Sequence, residues 1–240
     1  MPLIHFTGNF MQTLPITDNG NIVAANEQPE TTHPVLRFLA KFISYLFHPC
    51  FVPVYVVLFL VYVHPNMFVG FSSKNKILVV AQAFMMFSFF PIITTLLLKA
   101  LKFIDSIQLP TQRDRIIPLI ASMTWYFWIW HVWRNLPDYP KELVALALGV
   151  FAASIIAMLA NIKFKISLHA IAVGTMVTYL VTIALQQPLQ FAVYLSIAFI
   201  IAGLVCTARL ISGNHNSFEV YTGFLAGVGA QLIANVVVLS

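Results

Sequence analysis

Long apolar runs separated by short polar stretches set the pattern of this chain. Runs of the length a helix needs to cross a bilayer core, roughly 20 residues, recur from residue 42 onward. Seven can be marked: 42–63, 77–101, 116–133, 143–162, 170–185, 189–208 and 220–239. Barrel strands would instead alternate apolar and polar positions over short segments. The pattern predicts an all-α, polytopic transmembrane helical bundle of about seven spans. Pro49, Pro53 and Pro91 fall inside the first two runs, where neighbouring helices can satisfy the carbonyls that a proline frees. Gly223, Gly227 and Gly229 in the last run predict a close helix–helix approach. Residues 1–41 are mixed and polar. They read as a tail with an interfacial segment carrying Arg37 and Lys41, without the layout of a signal peptide. Residues 42–240 read as one transmembrane domain.

Composition agrees. The chain is 60% hydrophobic and 9% charged, against about 25% charged in a soluble domain, and its mean hydropathy is +0.86. The net charge of +5 is spread over the polar connections, so no nucleic-acid partner is expected. Cys50 and Cys206 sit within apolar runs and read as small core residues rather than a disulfide.

Charge is where chemistry enters. From residue 143 to the end, the only Asp, Glu, Lys or Arg residues are Lys163, Lys165, Arg209 and Glu219. An ionisable group near lipid is costly and marks a functional site by default. Arg209, His215 and Glu219 lie close together in sequence. Two further clusters hold Arg113 and Arg115, then Lys165, Ser167 and His169. An even number of crossings separates each cluster from the next. All three therefore fall on one membrane face, giving a composite site from 113–118, 165–169 and 209–219. Arginine binds phosphate oxygens in a bidentate fork. Lys165 adds a point charge and Ser167 a hydroxyl. Histidine serves as nucleophile or proton donor near neutral pH, and a helical 215–219 would put His215 and Glu219 on one face. Phosphoryl transfer needs little beyond positioning, charge stabilisation, a nucleophile and a proton source. Asp114 reads as a local salt partner or helix cap, and His48, His64 and His131 as packing or interfacial residues. The aromatic cluster at 125–133 reads as an interfacial belt.

Arg209, five residues, His215, three residues and Glu219, followed by Val220-Tyr221-Thr222-Gly223, resembles the third signature of the type 2 phosphatidic acid phosphatase superfamily. Ile166-Ser167-Leu168-His169 resembles the second signature, and Arg113-Asp114-Arg115 with Pro118, more loosely, the first. The likeness runs from about residue 102 to the C-terminus. Against the family pattern, Gln108 replaces a lysine, Leu168 a glycine, Ala208 a serine and Glu219 an aspartate. The resemblance implies a metal-independent phosphatase with no cofactor. In it His215 attacks phosphorus and forms a phosphohistidine, Glu219 orients His215, and His169 protonates the leaving oxygen. Arg115, Arg209 and Ser167 hold the phosphate, helped by Lys165 and Arg113. A site at the membrane boundary takes its substrate from the bilayer, so the expected substrate is a lipid phosphate or polyprenyl (di)phosphate.

Two other classes stay open at this point: a transporter using the cluster for an anion or protons, and a non-catalytic lipid- or anion-binding protein of the same fold. A metal on His169, His215 and Glu219 is disfavoured because the surrounding arginines repel a cation. The expected location is a cell membrane, the bacterial inner membrane, as a multi-pass protein. Basic residues outside the clusters divide almost evenly between the two faces, so charge does not choose the side of the site.

Overall fold

The computed structural model describes residues 33–239 apart from 65, 110 and 187, without the side chains of 186 and 188–190. Residues 1–32, most of the expected polar tail, lie outside the described residues. Nine α-helices follow in order among the described residues: α1 (Pro34–Leu46), α2 (Val52–Tyr62), α3 (Ser73–Phe84), α4 (Phe90–Ala100), α5 (Gln112–Arg134), α6 (Lys141–Asn161), α7 (Leu168–Gln186), α8 (Pro188–Ile211) and α9 (Ser217–Leu239). A π-helical turn, Met85–Phe89, joins α3 to α4. The described residues contain no strand, in keeping with the all-α expectation.

The first expected run, 42–63, is not a single helix. Proline lacks an N–H and pushes the preceding residue out of helical geometry. The chain accordingly breaks at His48-Pro49 between α1 and α2. Pro53 falls in the first turn of α2, where no N–H is needed. With 11 residues, α2 is about 16 Å long, roughly half a hydrocarbon core. Most of its side chains are buried, as for a helix apolar all round. By contrast α1 buries only Ala40 and Ser44. It leaves Phe38, Phe42 and Tyr45 exposed and runs straight through the expected boundary at residue 41.

Pro91 accounts for the π turn. It has no N–H to donate and its ring crowds the carbonyl four residues back, and the ladder slips by one residue, so that the Phe90 N–H reaches the Met85 carbonyl. Ser88, in this turn, donates to the Cys50 carbonyl at 2.8 Å and so anchors the α1–α2 break.

Among the described residues, five helices are long and apolar enough to cross a membrane: Ser73–Ala100, Lys141–Asn161, Leu168–Leu185, Phe191–Ile211 and Ser217–Leu239. These mark an integral membrane protein. The third expected run falls in α5, which has the length at 23 residues but carries Gln112 to Arg115 at one end and His131 and Arg134 at the other. On α8, Val193, Ile197, Ile200 and Leu204 are exposed at helical spacing, as a lipid-facing stripe requires. The expected belt differs in part. Trp133 is fully buried and donates to Gln82 at 2.9 Å, while Trp125 stacks on Phe90 at 4.6 Å between centroids.

The heart of the bundle is α9, packed against α6 and α7. Its buried positions Val220, Gly223, Gly227, Ala230, Gln231, Ala234 and Asn235 recur every three or four residues, one face of a helix. In lipid, helices associate through close packing and interhelical hydrogen bonds rather than hydrophobic burial. Both are present. A β-carbon on Gly223 would stand 2.8 Å from the Ser167 carbonyl, and one on Gly227 would collide with the Ile171 carbonyl of α7. Deeper in, Asn235 donates to Thr182 of α7 at 2.7 Å and Gln231 to the Ala145 carbonyl of α6 at 3.2 Å. Gly229, the third glycine of the expected set, faces open space. Gly227→Val should therefore destabilise the detergent-solubilised protein by about 1–3 kcal/mol through overpacking, and Gly229→Val should leave it nearly unchanged. Thermal melts of the two variants check this contrast.

Candidate functional site

Each of the three sequence clusters sits at a helix terminus or inter-helix turn. Those termini gather at one end of the bundle. Thr111 caps α5: its hydroxyl accepts from the Asp114 N–H at 3.2 Å, and the Asp114 carboxylate accepts from the Thr111 N–H at 3.3 Å. This reciprocal cap gives Asp114 its role at the third helical position. One residue on, Arg115 turns inward and is only 6% exposed. Its Nε donates to the Leu109 carbonyl at 3.1 Å and its Nη1 to the Ile166 carbonyl at 3.0 Å. Leu109 has a positive φ of 50°, a conformation that costs a branched residue about 1–2 kcal/mol. The Arg115 bond helps hold it. Arg115 thereby staples the loop before α5 to the turn between α6 and α7.

That turn is tied in its other direction to α9. The Ser167 N–H donates to the Glu219 carbonyl at 3.2 Å. Ser167 is fully buried, and its hydroxyl accepts from the Ala170 N–H at 3.4 Å, so it caps α7. Before α9, Gly213 takes a positive φ of 66°, which lets the chain leave α8 in a tight turn. Asn216 then caps α9, its side chain accepting from the Glu219 N–H at 2.9 Å.

His215 stands just before this cap rather than inside a helix. Its Nδ1 lies 2.7 Å from Glu219 Oε2. In an ordinary capping box the third-position glutamate would bond back to the cap N–H. Here it turns to the imidazole instead. His215 is 7% exposed. Burial lowers its pKa most, the Glu219 hydrogen bond opposes this, and the guanidiniums of Arg209 and Arg115 lower it further, to about 4. The ring is therefore neutral at pH 7. A carboxylate only accepts, so the ring proton sits on Nδ1 and Nε2 keeps a bare lone pair. Lys165 shares this field. Burial, then Arg115, hold its ammonium below the usual lysine value, and Glu219 opposes. With Arg115, Arg209 and Lys165 facing Glu219, cations outnumber carboxylates, which favours an anion.

From α8, Arg209 donates through Nη1 to the Ser44 hydroxyl at 3.3 Å. Its Nε is buried and has no hydrogen-bond partner among the described residues. From the first turn of α7, His169 places Nε2 3.0 Å from the Ser44 carbonyl. The His48 ring meets the His169 ring edge to face, 5.6 Å between centroids.

The structure thus brings Arg115, Lys165, Ser167, His169, Arg209, His215 and Glu219 together. It does not bring in Arg113, which is exposed on α5. Gln108 is exposed in the loop, and Leu168 packs with the apolar cluster around Leu119 and Ile166. Ser44 and His48 are neighbours that spacing alone missed, the latter having been read as packing. The available signal was a serine and a His-Pro pair inside an apolar run. Among the described residues no group of three or more His, Cys, Asp or Glu side chains is placed to hold a metal ion.

No family model, no curated protein and no solved structure matches the chain. The reading of the site therefore stands on its geometry.

The low His215 pKa carries a stability consequence. In the unfolded chain the imidazole protonates near pH 6.5, but in the folded protein only near 4. Between these values the unfolded state binds more protons. The contribution is fully present above about pH 6.5 and is lost as pH falls toward 4. Melting temperature measured across that window should fall with pH, and His215→Gln should flatten the slope. An equal slope in both proteins would contradict the assignment.

Proposed function

We propose that the protein is an integral-membrane phosphatase that hydrolyses a lipid phosphate or polyprenyl (di)phosphate through a phosphohistidine. The observation that carries this reading is the His215–Glu219 pair at 2.7 Å beside the buried Arg115 and the half-buried Arg209. Glu219 holds the proton on Nδ1, which points the lone pair of Nε2 outward as a nucleophile. Attack forms an Nε2–P bond and breaks the bond from phosphorus to the leaving oxygen, which takes a proton from His169. Water then gives a proton to His169 and cleaves the N–P bond, returning phosphate and the free His215 imidazole. Arg209, with an unused buried Nε, and Arg115, with N–H groups beyond the two bonded to carbonyls, stabilise the phosphoryl oxygens. Lys165 adds charge. Ser167 holds the turn by capping α7, a narrower role than the phosphate contact that the family resemblance implies. Arg113 lies outside this arrangement.

The likeness to the type 2 phosphatidic acid phosphatases supports the same chemistry through Arg209, His215 and Glu219. In this reading α5 also crosses the membrane and α1 with α2 makes one further passage, for about seven spans in a cell membrane such as the bacterial inner membrane. Substrate arrives from the lipid layer.

The test is phosphate release by the purified protein from phosphatidate, phosphatidylglycerophosphate and a polyprenyl diphosphate in mixed micelles, with chelator present. His215→Ala and His169→Ala should each lower turnover by at least about 100-fold, as expected for loss of a nucleophile or a general acid. Turnover that survives both substitutions would sink the reading. Tight orthovanadate binding without turnover would support a non-catalytic anion-binding protein instead.

Neutral His215 is the reactive form, and a bound anion offsets the arginines that lower its pKa. The acid limb of kcat, which reports the complex, should therefore lie at higher pH than that of kcat/KM, which reports the free enzyme. Parallel pH profiles of the two parameters measure the difference.

A further inference from the structure

At the break between α1 and α2, Ser44 and His48 meet His169 from the start of α7. Arg209 joins them. Apolar side chains would fill this space at less cost, so the polar set calls for an explanation beyond packing. The Ser44 carbonyl is 3.0 Å from His169 Nε2. A carbonyl oxygen only accepts, so that nitrogen carries a proton, and Nδ1 is the nitrogen free to gain or give one. The Ser44 hydroxyl accepts from Arg209 Nη1 at 3.3 Å, the one partner of that guanidinium among the described residues. His48 Nδ1 accepts from the Cys50 N–H at 3.4 Å, which fixes its ring against the ring of His169. The break itself is held from behind by Ser88, bonded to the Cys50 carbonyl at 2.8 Å.

We propose that Ser44 and His48 are positioning residues of the site: Ser44 fixes the tautomer of His169 and steadies Arg209, and His48 holds the His169 ring in place. This rests on the phosphatase reading and deepens it. The two histidines become mirror cases. Glu219 keeps the proton of His215 on Nδ1 and leaves Nε2 to attack. The Ser44 carbonyl keeps a proton on Nε2 of His169 and leaves Nδ1 to carry the mobile proton to the leaving oxygen. The part of the chain before residue 102, outside the phosphatase-like region, thereby supplies working parts.

The experiment uses the full chain in mixed micelles with two substrates of different leaving group, phosphatidate and p-nitrophenyl phosphate. An alkoxide needs a proton from the acid as it leaves and p-nitrophenolate does not. His48→Ala should lower kcat for phosphatidate by about ten-fold, a partial loss of general-acid catalysis, with little change for the aryl ester. Equal loss on both substrates would mean general structural damage and would overturn the proposal. Ser44→Ala should raise KM for phosphatidate about ten-fold through loss of a bond to a charged group, with kcat little changed. Ser44→Thr, which keeps the hydroxyl, should restore it. Higher activity in Ser44→Ala would mean that α1 blocks the site and would also overturn the proposal. If the wild-type protein turns over neither substrate, the phosphatase reading fails, and nitrogen-15 NMR of the His169 imidazole judges the positioning claim alone. A His169 ring that keeps a proton on Nε2, disturbed in His48→Ala, supports it; an unchanged His169 signal in that variant refutes it.

Discussion

The site depends on how closely α7 and α9 approach. With hydrogen at Gly223 in place of a side chain, the first turns of the two helices can touch, and the Ser167 carbonyl lies against that glycine. The Ser167 N–H then reaches the Glu219 carbonyl. This contact sets the turn before α7 beside the turn before α9, so that His169 meets His215 and Glu219 although it comes from a different segment. Arg115 adds the third segment by bonding the Ile166 carbonyl. Backbone contacts between helix starts, rather than attraction among the charged side chains, assemble the cluster.

Assembly has an electrostatic cost. Three cations share a partly buried space with a single carboxylate, and that arrangement is unfavourable until an anion enters. The structure lowers the cost by giving Arg115 and Arg209 neutral acceptors: the carbonyls of Leu109 and Ile166, and the hydroxyl of Ser44. Neutral acceptors hold a guanidinium without cancelling its charge. A carboxylate in the same places would hold it better and leave less field for a ligand. The pKa of His215 is lowered first by burial, and the guanidiniums of Arg209 and Arg115 lower it further.

Much of this was legible in the chain. Apolar runs gave the helical membrane class, and the spacing of Gly223 and Gly227 gave the close packing of α9. Counting crossings placed residues 113–118, 165–169 and 209–219 on one face as an expectation from seven spans, and among the described residues five helices have the length and apolarity to cross. Other features depend on tertiary geometry. Two arginines two residues apart look equivalent in sequence, but a helix turns about 200° between them, so Arg115 faces inward and Arg113 faces out. Ser167 looks like a ligand because it carries a hydroxyl, yet its position before α7 makes it a cap. Ser44 lies 125 residues from His169, and no local pattern links them. Pro49 signals a break, but not what the break will touch. The count of seven crossings rested on apolar length alone, and α1, α2 and α5 show how proline and terminal charge redistribute that length.

The polar contacts deep in the bundle act on the site from a distance. Asn235 on Thr182 and Gln231 on Ala145 lie well over two turns from Glu219 along α9. In an apolar medium a helix has few other features that resist rotation about its own axis. Each residue occupies about 100° of the circumference, so a twist of a fraction of one position would swing the Glu219 carboxylate away from His215. The two amides work as an angular stop. They set the direction of a carboxylate at the opposite end of the same rod.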